Sequence, residues 1–330
     1  MYYHTTVGKV LVTRLSVVLV NWNTRGLLRQ CLQSVYSSAG QDADMEVLVV
    51  DNGSSDGSAE MVRSDFPRAT LMQSAENLGF ARANNLGIRE SSGDYLLLLN
   101  SDTEVVGDAI PRLLAFADRN PGVGMVGPML LNPDGTVQSS RRRFPTVATA
   151  FLESTILERW FPQSPTLQRF YVLDRGDDET QQVDWLVGAA LLARREAVAQ
   201  AGPLDEGYFM YSEELDWGRA FARAGWKVVY LPEAKVVHFG GQSSDQDLLR
   251  RHLRFQYSKG RYFQKHHGPL PAQLIRVAIL LNYLAQLAEE SAKFVLVRRN
   301  HPVRRRRIGT LARASAWMAW WAARWGHLQP

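Results

Sequence analysis

The sequence predicts an α/β protein whose mostly parallel sheet is flanked by helices. Apolar runs rich in Val and Leu are broken sharply by Asn, Asp, Gly or Ser, which is typical of strands buried on both faces of a parallel sheet. Stretches of helical length and pattern separate these runs, and strands that alternate with helices indicate βαβ units. The strand-like runs lie at residues 15–20, 47–50 and 95–99, and the helical stretches at 26–36, 58–66 and 80–90.

Short polar segments follow the apolar runs and predict one ligand cleft. In an open α/β sheet, ligands bind beyond the carboxyl ends of the strands, where these segments begin. We therefore expect Asn21, Asp51, Asn77 and Asp102 to line the cleft. At a strand end, the Asp51 carboxylate can accept hydrogen bonds from a base or ribose, which favours a nucleotide. An equally plain interpretation is that residues 51–56 form a turn with a helix cap.

Asp102 predicts a metal site at the floor of this cleft. It follows the run 96–99 directly, and Mg²⁺ or Mn²⁺ bridged to a diphosphate needs only one or two protein carboxylates of this kind. His238 ends another apolar run, 228–237, and its imidazole nitrogen would suit Mn²⁺ better than Mg²⁺. A histidine after a strand is more often structural, so both interpretations stay open for His238.

Three carboxylates, Glu213, Glu214 and Asp216, open a predicted helix that continues through residues 218–224. Acidic side chains in a first helical turn commonly complement the helix dipole and cap free N–H groups. The segment before them is rich in aromatic residues, which supply flat faces for a sugar and apolar walls that raise a carboxylate's proton affinity. One of these acids is therefore a candidate general base.

The order of these segments resembles the inverting family 2 glycosyltransferases, most of all their bacterial rhamnosyltransferase-like branch. The resemblance covers about residues 14–245. Six segments that occur in the family's order and spacing make it specific. The matching segments are VVLVNWN at 17–23, VVDNGSSDGS at 49–58, NLGFARANNLG at 77–87, LLLNSD at 97–102, WLVGAALLARRE at 185–196 and YFMYSEELDW at 208–217.

The resemblance implies a Rossmann-like GT-A fold, a nucleotide-diphospho-sugar donor and a divalent metal ion. On the donor side it implies that Asn21, Trp22 and Asn23 line the base pocket and that Asp51, with Gly53 beside it, contacts the pyrimidine ring. Asn77, Gly79 and Arg82 are expected near the ribose and diphosphate. Asn100 and Ser101 are expected to contact the donor as well. Asp102 matches the metal-binding aspartate of the family's Asp-x-Asp-type motif, whose first aspartate is Asn100 here, so metal binding is expected to depend on Asp102 and His238. Four positions in the later segments are expected to contact acceptor or sugar: Trp185, Gly188, Tyr211 and Trp217.

The family's general base is usually the second acid of Glu-Asp-x-Asp, which corresponds to Glu214 here. Glu in place of Asp displaces the carboxylate by about a bond length, and general-base geometry is sensitive at that scale, so Glu213 stays an alternative. The implied reaction is a single in-line displacement with inversion at the anomeric carbon, assisted by the metal and Arg82. L-rhamnose from dTDP-rhamnose is the leading donor; galactofuranose, glucose and mannose donors are alternatives, as is a non-catalytic membrane-bound scaffold with a degenerate transferase fold.

The C-terminal region, residues 246–330, carries 16 Lys and Arg against 3 Asp and Glu, a net charge of +13, whereas residues 1–245 carry a net charge of −8. Residues 274–287 are strongly apolar, and Trp317, Trp320, Trp321 and Trp325 fall on one face of a predicted helix with Arg313 and Arg324 nearby. This combination favours an anionic membrane surface over nucleic acid, and hence a polyprenyl-diphosphate-linked acceptor. The alternative is that the Trp stripe packs on the catalytic domain or on another subunit of a homo-oligomer.

The remaining features predict a protein of the reducing cytoplasm that is peripheral on the inner face of the cell membrane. The single cysteine, Cys31, excludes an intramolecular disulfide, and the tail at residues 1–13 lacks the layout of a signal peptide. The sequence contains no stretch of about 18 uninterrupted apolar residues, so we do not expect a membrane-spanning helix. The GVGMVG run at 122–127 spells a dinucleotide fingerprint, but we expect it to be a strand because Pro128 follows it at once.

Overall fold

The computed structural model describes residues 14–39, 44–241, 248–296 and 301–323. Three sequence-based expectations fall outside these ranges. They are the tail at residues 1–13, the boundary between residues 245 and 246, and the part of the Trp stripe formed by Arg324 and Trp325.

The described residues form an α/β structure, as predicted. The strands are β1 (Leu15–Asn21), β2 (Met45–Asp51), β3 (Thr70–Gln73), β4 (Tyr95–Asn100), β5 (Thr103–Val106), β6 (Val123–Leu131), β7 (Val137–Gln138), β8 (Arg141–Arg142), β9 (Gln181–Val183), β10 (Trp185–Leu186), β11 (Ala190–Arg194) and β12 (Lys227–His238). The helices are α1 (Arg25–Ala39), α2 (Ser58–Asp65), α3 (Phe80–Glu90), α4 (Ala109–Arg119), α5 (Val147–Leu152), α6 (Ile156–Trp160), α7 (Pro165–Phe170), α8 (Arg195–Ala201), α9 (Glu213–Arg223), α10 (Leu248–His267), α11 (Pro269–Leu296) and α12 (His301–Ala323).

The main sheet has the order β3-β2-β1-β4-β11-β6-β12-β5, with β7 and β9 on its margins. Its first half is parallel, because β1 pairs in parallel with both β2 and β4, and β2 does so with β3. Its second half is mixed: β11 runs antiparallel between β4 and β6, whereas β12 is parallel to β6 and antiparallel to β5. The fingerprint-like run forms most of β6, so the expectation of a strand there is confirmed.

Both faces of the sheet are buried, which explains the continuous apolar runs. Val17 and Leu19 of β1 pack into one core cluster with α1 and α4, while Val18, between them, packs into a second cluster with α3 and α9. Because side chains alternate across a strand, only an apolar run without polar interruptions fills both cores. The result is a layer of helices on each side of the sheet.

The C-terminal helices share a third core cluster with the segment between β8 and β9 and with the start of α9. Tyr208 and Leu215 pack there with Tyr262 of α10, Ile275 of α11 and Trp321 of α12. A Cβ at Gly260 of α10 would collide with the Trp321 ring, so these two helices touch closely. The helices α10–α12 therefore pack directly against the α/β part of the chain.

Three tryptophans of the Trp stripe are described, Trp317, Trp320 and Trp321, and Trp321 faces the protein interior. Trp321 is 1% exposed and lies between Tyr257 and the Arg276 guanidinium, and Trp317 stacks on it with ring centroids 5.4 Å apart. Trp320 is 37% exposed. The expectation of a Trp-faced membrane helix is therefore wrong for Trp321, which is buried in the core with α10 and α11, and the alternative of packing on the protein holds for it.

The exposed apolar surface lies instead on α11. Five of its large apolar side chains with at least 40% exposure are spaced four, three, four and three residues apart, on one face of the helix: Leu270, Leu274, Val277, Leu281 and Leu284. Val295 and Leu296, at the end of the helix, are exposed as well. Among the described residues, α11 alone is long and apolar enough to cross a membrane, and a third of its apolar window is buried inside the protein. The sequence-based expectation of no such helix did not hold, because an apolar window tolerates isolated polar residues such as Arg276 and Asn282.

Candidate functional site

The carboxyl ends of β1, β2 and β4 lie side by side, as the sequence predicts. The sheet register pairs Asn21 with Asp51 and Val20 with Asn100. His238, the last residue of β12, pairs with Thr103 of β5, which places it beside Asp102. A cavity of about 430 Å³ opens beyond these ends. Of the predicted site residues it is lined by Trp22, Asn77, Gly79, Asn100, Ser101, Asp102, Gly188, Tyr211, Glu213, Glu214 and His238.

The loops after β1 and β2 are tied together by buried polar side chains. The Asn21 amide donates to Asp51 Oδ2 at 3.3 Å and to Ser54 Oγ at 3.1 Å, and Thr24 Oγ1 donates to Asn21 Oδ1 at 2.7 Å. The Ser54 backbone N–H donates to Asp51 Oδ1 at 3.0 Å. Asn21 and Asp51 therefore shape the loops but do not line the cavity themselves.

Two further predicted donor residues, Asn23 and Gly53, belong to the same loop network and not to the cavity lining. The Ser55 backbone N–H donates to Asn23 Oδ1 at 2.8 Å, and Asn23 adopts a positive φ of 52°. Gly53 has a φ of 79°, and a Cβ there would come within 2.8 Å of the Glu76 carbonyl carbon. A glycine is needed at this position because the turn is both left-handed and closely packed.

Asn52 was missed by sequence reasoning and connects two parts of the cleft. Its side-chain amide donates to Asn77 Oδ1 at 3.1 Å, and its Oδ1 accepts from the Leu78 backbone N–H at 2.8 Å. Asn77 Oδ1 also accepts from the Gly79 N–H at 2.9 Å. Asn52 thus fixes the 77–79 loop, and the signal available was its position directly after Asp51.

Asp102 and His238 converge in the cleft. Asp102 Oδ1 lies 3.4 Å from His238 Nε2, and their side chains are 10% and 12% exposed. Gln138, from the β7 strand, donates through Nε2 to Asn132 Oδ1 and the His238 carbonyl, so its Oε1 faces His238 Nδ1 at 2.7 Å. An Nδ1–H of His238 therefore donates to Gln138, and Nε2 is the ring nitrogen that faces Asp102.

This donor set fits a divalent cation. A metal-bound histidine typically donates its second ring N–H to a neighbouring oxygen, as His238 does to Gln138. In the described part of the chain, no group of three or more His, Cys, Asp or Glu side chains forms a complete protein cage. Two protein ligands suit an ion whose remaining ligands come from phosphate and water.

The two glutamates lie on the opposite wall, at the start of α9. The preceding Tyr211 and Ser212 both have positive φ values, 72° and 63°, which are costly for side chains with a Cβ. This backbone turns α9 so that Glu213 and Glu214 line the cleft. Glu213 Oε2 and Glu214 Oε2 are buried and find no hydrogen-bond donor in the part of the chain that the structure describes. Unsatisfied buried carboxylate oxygens of this kind are available to a ligand proton.

The environments of the two glutamates differ. Burial raises the pKa of Glu213 well above its usual range, and the neighbouring charge of Glu214 raises it further. Burial also raises the pKa of Glu214, but hydrogen bonds from backbone N–H groups, including that of Gly188, and the nearby Arg142 guanidinium oppose this rise. Within the pair, the proton therefore favours Glu213 over Glu214.

Four more predicted site residues do not line the cleft. Trp217 is 1% exposed, lies in the core and donates from Nε1 to the Gly202 carbonyl at 2.9 Å, so the expected acceptor contact is wrong. Arg82 is exposed on α3 and faces Glu206 at 4.0 Å, so the expected place near the diphosphate is also wrong. The cation that does line the cleft is Arg251 of α10, for which the sequence offered no motif.

Asp216 and Trp185 occupy positions behind the cleft. Asp216 accepts from His266 Nε2 at 2.6 Å and from Lys265 Nζ at 2.8 Å, which joins α9 to α10, so the expected catalytic role does not fit its placement. Trp185 lines a second cavity of about 220 Å³ together with Arg142, Tyr211, Glu214 and Lys259, and its Nε1 donates to the Arg143 carbonyl. Glu214 and Tyr211 therefore border both cavities.

Cys31 has no role in this site. It is fully buried against Asn100 and Thr103, and burial raises the pKa of its thiol to about 12. A thiol with so little thiolate at neutral pH is a poor nucleophile. The environment of Cys31 therefore does not favour a covalent step through its thiol.

Comparisons with known proteins agree on one family. The family model described as "Glycosyl transferase family 2" matches residues 16–199. An N-acetylglucosaminyl-diphospho-decaprenol L-rhamnosyltransferase of Mycobacterium tuberculosis is 33% identical over 244 residues, which cover 71% of this chain and 78% of the relative.

Solved structures show the same fold at low sequence identity. The mannosyltransferase of Pyrobaculum calidifontis in complex with GDP-Man and Mn²⁺ superposes with a TM-score of 0.54 at 16% identity, covering 94% of this chain and 88% of that one. The crystal structure of GalNAc-T7 with UDP, GalNAc and Mn²⁺ gives a TM-score of 0.53 at 17% identity, covering 69% of this chain and 43% of that one.

Proposed function

The chain belongs to glycosyl transferase family 2 and is a glycosyltransferase, and from this premise we propose that it moves L-rhamnose from dTDP-rhamnose to a hydroxyl of a polyprenyl-diphosphate-linked saccharide. The observation that carries the proposal is a single cavity of about 430 Å³ in which Asp102 and His238 face Glu213 and Glu214. The name of the relative from Mycobacterium tuberculosis supports both the sugar and the class of acceptor. The product would enter cell-wall or surface polysaccharide.

Glu214 is the general base of the proposed reaction. It takes the proton from the acceptor hydroxyl as that oxygen attacks the anomeric carbon, and the bond to the diphosphate breaks with its electron pair leaving on the diphosphate. Attack opposite the leaving group inverts the anomeric configuration. Glu214 suits this role because it gives up its proton more readily than Glu213 and borders both the donor cleft and the cavity of about 220 Å³.

Other residues bind the donor and neutralise the leaving group. Asp102 and His238 would hold a divalent ion, Mn²⁺ or Mg²⁺, which supplies charge neutralisation at the diphosphate. Trp22, Asn77 and the 100–101 backbone line the donor side of the cleft. Arg251 reaches the same cleft from α10.

Membrane attachment is the second part of the proposal. The exposed stripe of α11, from Leu270 to Leu284, supplies an apolar face, and the basic C-terminal region supplies attraction to anionic lipid. We place the protein at the inner surface of the cell membrane, where a polyprenyl-linked acceptor is found with its saccharide in water. The Trp stripe contributes little to this face because Trp321 is buried.

Ligand-induced stabilisation tests the donor. A ligand that binds only the folded state raises the unfolding temperature, so purified protein is heated with dTDP-rhamnose, UDP-sugars or GDP-sugars, each with and without Mn²⁺. We expect a metal-dependent rise with dTDP-rhamnose. A rise with a UDP- or GDP-sugar alone would assign a different donor, and no rise with any of them would favour a degenerate scaffold.

A further inference from the structure

A third cavity, of about 590 Å³, lies among α10, α11 and α12 and adjoins the donor cleft. Tyr211 and Arg251 line both spaces. Apart from Ser154, the cavity is otherwise built by the C-terminal helices, with His252 and Gln256 from α10, Gln286 from α11 and Arg307 from α12. Glu213 and Glu214 do not line it. Its position beyond Tyr211 makes it an extension of the reaction site.

The charge of this cavity favours an anionic ligand. Arg251 and Arg307 line it, and none of the described lining residues is an Asp or Glu. Arg307 Nη1 lies 3.3 Å from Glu290, but the same carboxylate also pairs with Arg304 at 3.1 Å and Lys293 at 3.8 Å. Glu290 thus shares its charge between Arg304 and Arg307, whereas Lys293 pairs more closely with Glu289, and Arg307 is the member of this cluster that lines the cavity. Two arginines suit the oxygens of a diphosphate, which accept several charge-assisted hydrogen bonds.

A buried acceptor atom points to a sugar in the same cavity. Gln256 is 4% exposed, and its Oε1 is buried with no hydrogen-bond donor among the described residues. An unsatisfied buried carbonyl is energetically costly, so a ligand that donates to it gains a hydrogen bond. A diphosphate has no proton to give it at neutral pH, whereas a sugar hydroxyl does. The cavity thus combines cations for a diphosphate with an acceptor for a hydroxyl.

The third feature is the path to the membrane. Asn282, Tyr283 and Gln286 of α11 line the cavity, while Leu281 and Leu284 of the same helix are exposed. A ligand whose polar head lies in the cavity therefore has an apolar surface beside it for a hydrocarbon chain. Tyr211, at the other end, leads to Glu214.

We propose that this cavity binds the diphosphate and first sugar of the lipid-linked acceptor, with Arg307 and Arg251 on the diphosphate and Gln256 on a sugar hydroxyl. The proposal rests on the proposed function, because it assumes a prenyl diphosphate acceptor. The same cations suit the diphosphate of the donor, since Arg251 borders both spaces, so the experiment separates the two sources.

Binding of farnesyl diphosphate to the full chain, measured by calorimetry without any donor, tests the site. Arg307→Gln should weaken this binding about tenfold, the loss of one charge-assisted hydrogen bond. Arg305→Gln is the matched control, because it removes the same charge from an exposed position of α12 that lines no cavity described above, and its affinity should stay within about twofold. Farnesol should bind to all three proteins equally.

Binding of dTDP with Mn²⁺ is the second arm. We expect the wild type and Arg307→Gln to bind dTDP equally. Three outcomes would contradict the proposed acceptor site. They are an equal loss of farnesyl diphosphate affinity in both variants, no loss of it in Arg307→Gln, and a loss of dTDP affinity in Arg307→Gln that parallels the loss of farnesyl diphosphate affinity. Farnesyl diphosphate binding needs no sugar transfer, so a wild type that binds it with this pattern yet transfers no sugar would count against the proposed function alone.

Discussion

The Asp102 carboxylate lies 3.4 Å from Nε2 of His238, and the pairing of β5 with β12 brings the two together. Neither residue alone distinguishes a ligand from a structural side chain. Their proximity, with His238 Nδ1 turned towards Gln138, gives a pair of donors aimed at one point in the cleft. The pair is incomplete as a protein cage, so metal binding should depend on the ligand that supplies the remaining oxygens.

Manganese binding should therefore require the nucleotide. We expect electron paramagnetic resonance to show weak Mn²⁺ binding to the protein alone and tighter binding with dTDP. His238→Ala should remove the nucleotide-dependent component, and Gln138→Leu should weaken it by roughly 10- to 100-fold because the imidazole loses its orienting partner. Asp134→Asn, in an exposed turn, is the control. Unchanged Mn²⁺ binding in His238→Ala would show that His238 is structural.

The two glutamates can be distinguished by replacement with glutamine. Glu214→Gln should lower kcat by about 10²–10⁴-fold, because the neutral amide takes no proton, and should leave dTDP-rhamnose binding nearly unchanged. Glu213→Gln resembles the protonated form that burial favours at this position, so its kcat should stay within about tenfold of wild type. The opposite ranking in a steady-state assay would move the base to Glu213.

Glu213 should also make the protein less stable as pH rises. The pKa of Glu213 is raised in the folded state. Below about pH 4.3, the pKa of a glutamate in the unfolded chain, Glu213 is protonated in both states and does not lower the free energy of unfolding. As pH rises from there towards the folded-state pKa, the unfolded state ionises more readily, so the folded state loses stability. Glu213→Gln removes this titration. We expect chemical denaturation to show a free energy of unfolding above that of wild type at pH 7, with the difference shrinking towards pH 4. A constant difference across this range would contradict the burial argument.

The parts of the fold that follow local rules were predictable. The runs before Asn21, Asp51 and Asn100 are buried on both faces, and α3 has the bounds that its pattern gave. β11 was missed, although it lies between β4 and β6, because a short antiparallel strand inside a sheet is set by long-range pairing that leaves no separate local signal. The site was predictable where its residues follow strand ends.

The remaining errors arise from side-chain direction and from packing between distant segments. Trp217 and Glu214 share α9, but only one of them faces the cleft, and the turn that orients this helix depends on two strained residues. Arg251 reaches the cleft because α10 packs there through Asp216 and Lys265, which no sequence motif indicated. The Trp stripe has the same spacing whether it faces lipid or protein, so its burial depended on the position of α10.

Asp216 should be a stability residue. Burial alone raises its pKa, but hydrogen bonds from His266 and Lys265 hold the pKa below its usual range. The ionised Asp216 therefore stabilises the folded state above about pH 3.9, the pKa of an aspartate in the unfolded chain. This stabilisation is lost as pH falls through the folded-state pKa of Asp216. Asp216→Asn should lower the free energy of unfolding at pH 7 by about 1–3 kcal/mol, measured by denaturant titration. The folded variant should keep its kcat within about twofold, and a loss as large as that of Glu214→Gln would return Asp216 to the catalytic set.

The membrane proposal is tested on α11 without disturbing the core. Deletion of α12 would uncover the core around Trp321, so point charges on exposed positions are more informative. Leu274 and Leu281 are 51% and 59% exposed and lie two turns apart on one face. The double substitution Leu274→Asp and Leu281→Asp should release the protein from phosphatidylglycerol liposomes, because each aspartate carries charge into the apolar layer and reduces the attraction to anionic lipid.

Leu173→Asp is the control, since Leu173 is 52% exposed in the segment between α7 and β9, and this variant should sediment with liposomes as the wild type does. The four-three spacing of the α11 stripe also suits a pair of helices from two copies of the chain. A wild type that does not bind liposomes but forms a dimer, which the α11 double variant dissociates, would assign the stripe to subunit contact. Loss of sedimentation only in the α11 variant, with a monomer throughout, is the result that lipid contact requires.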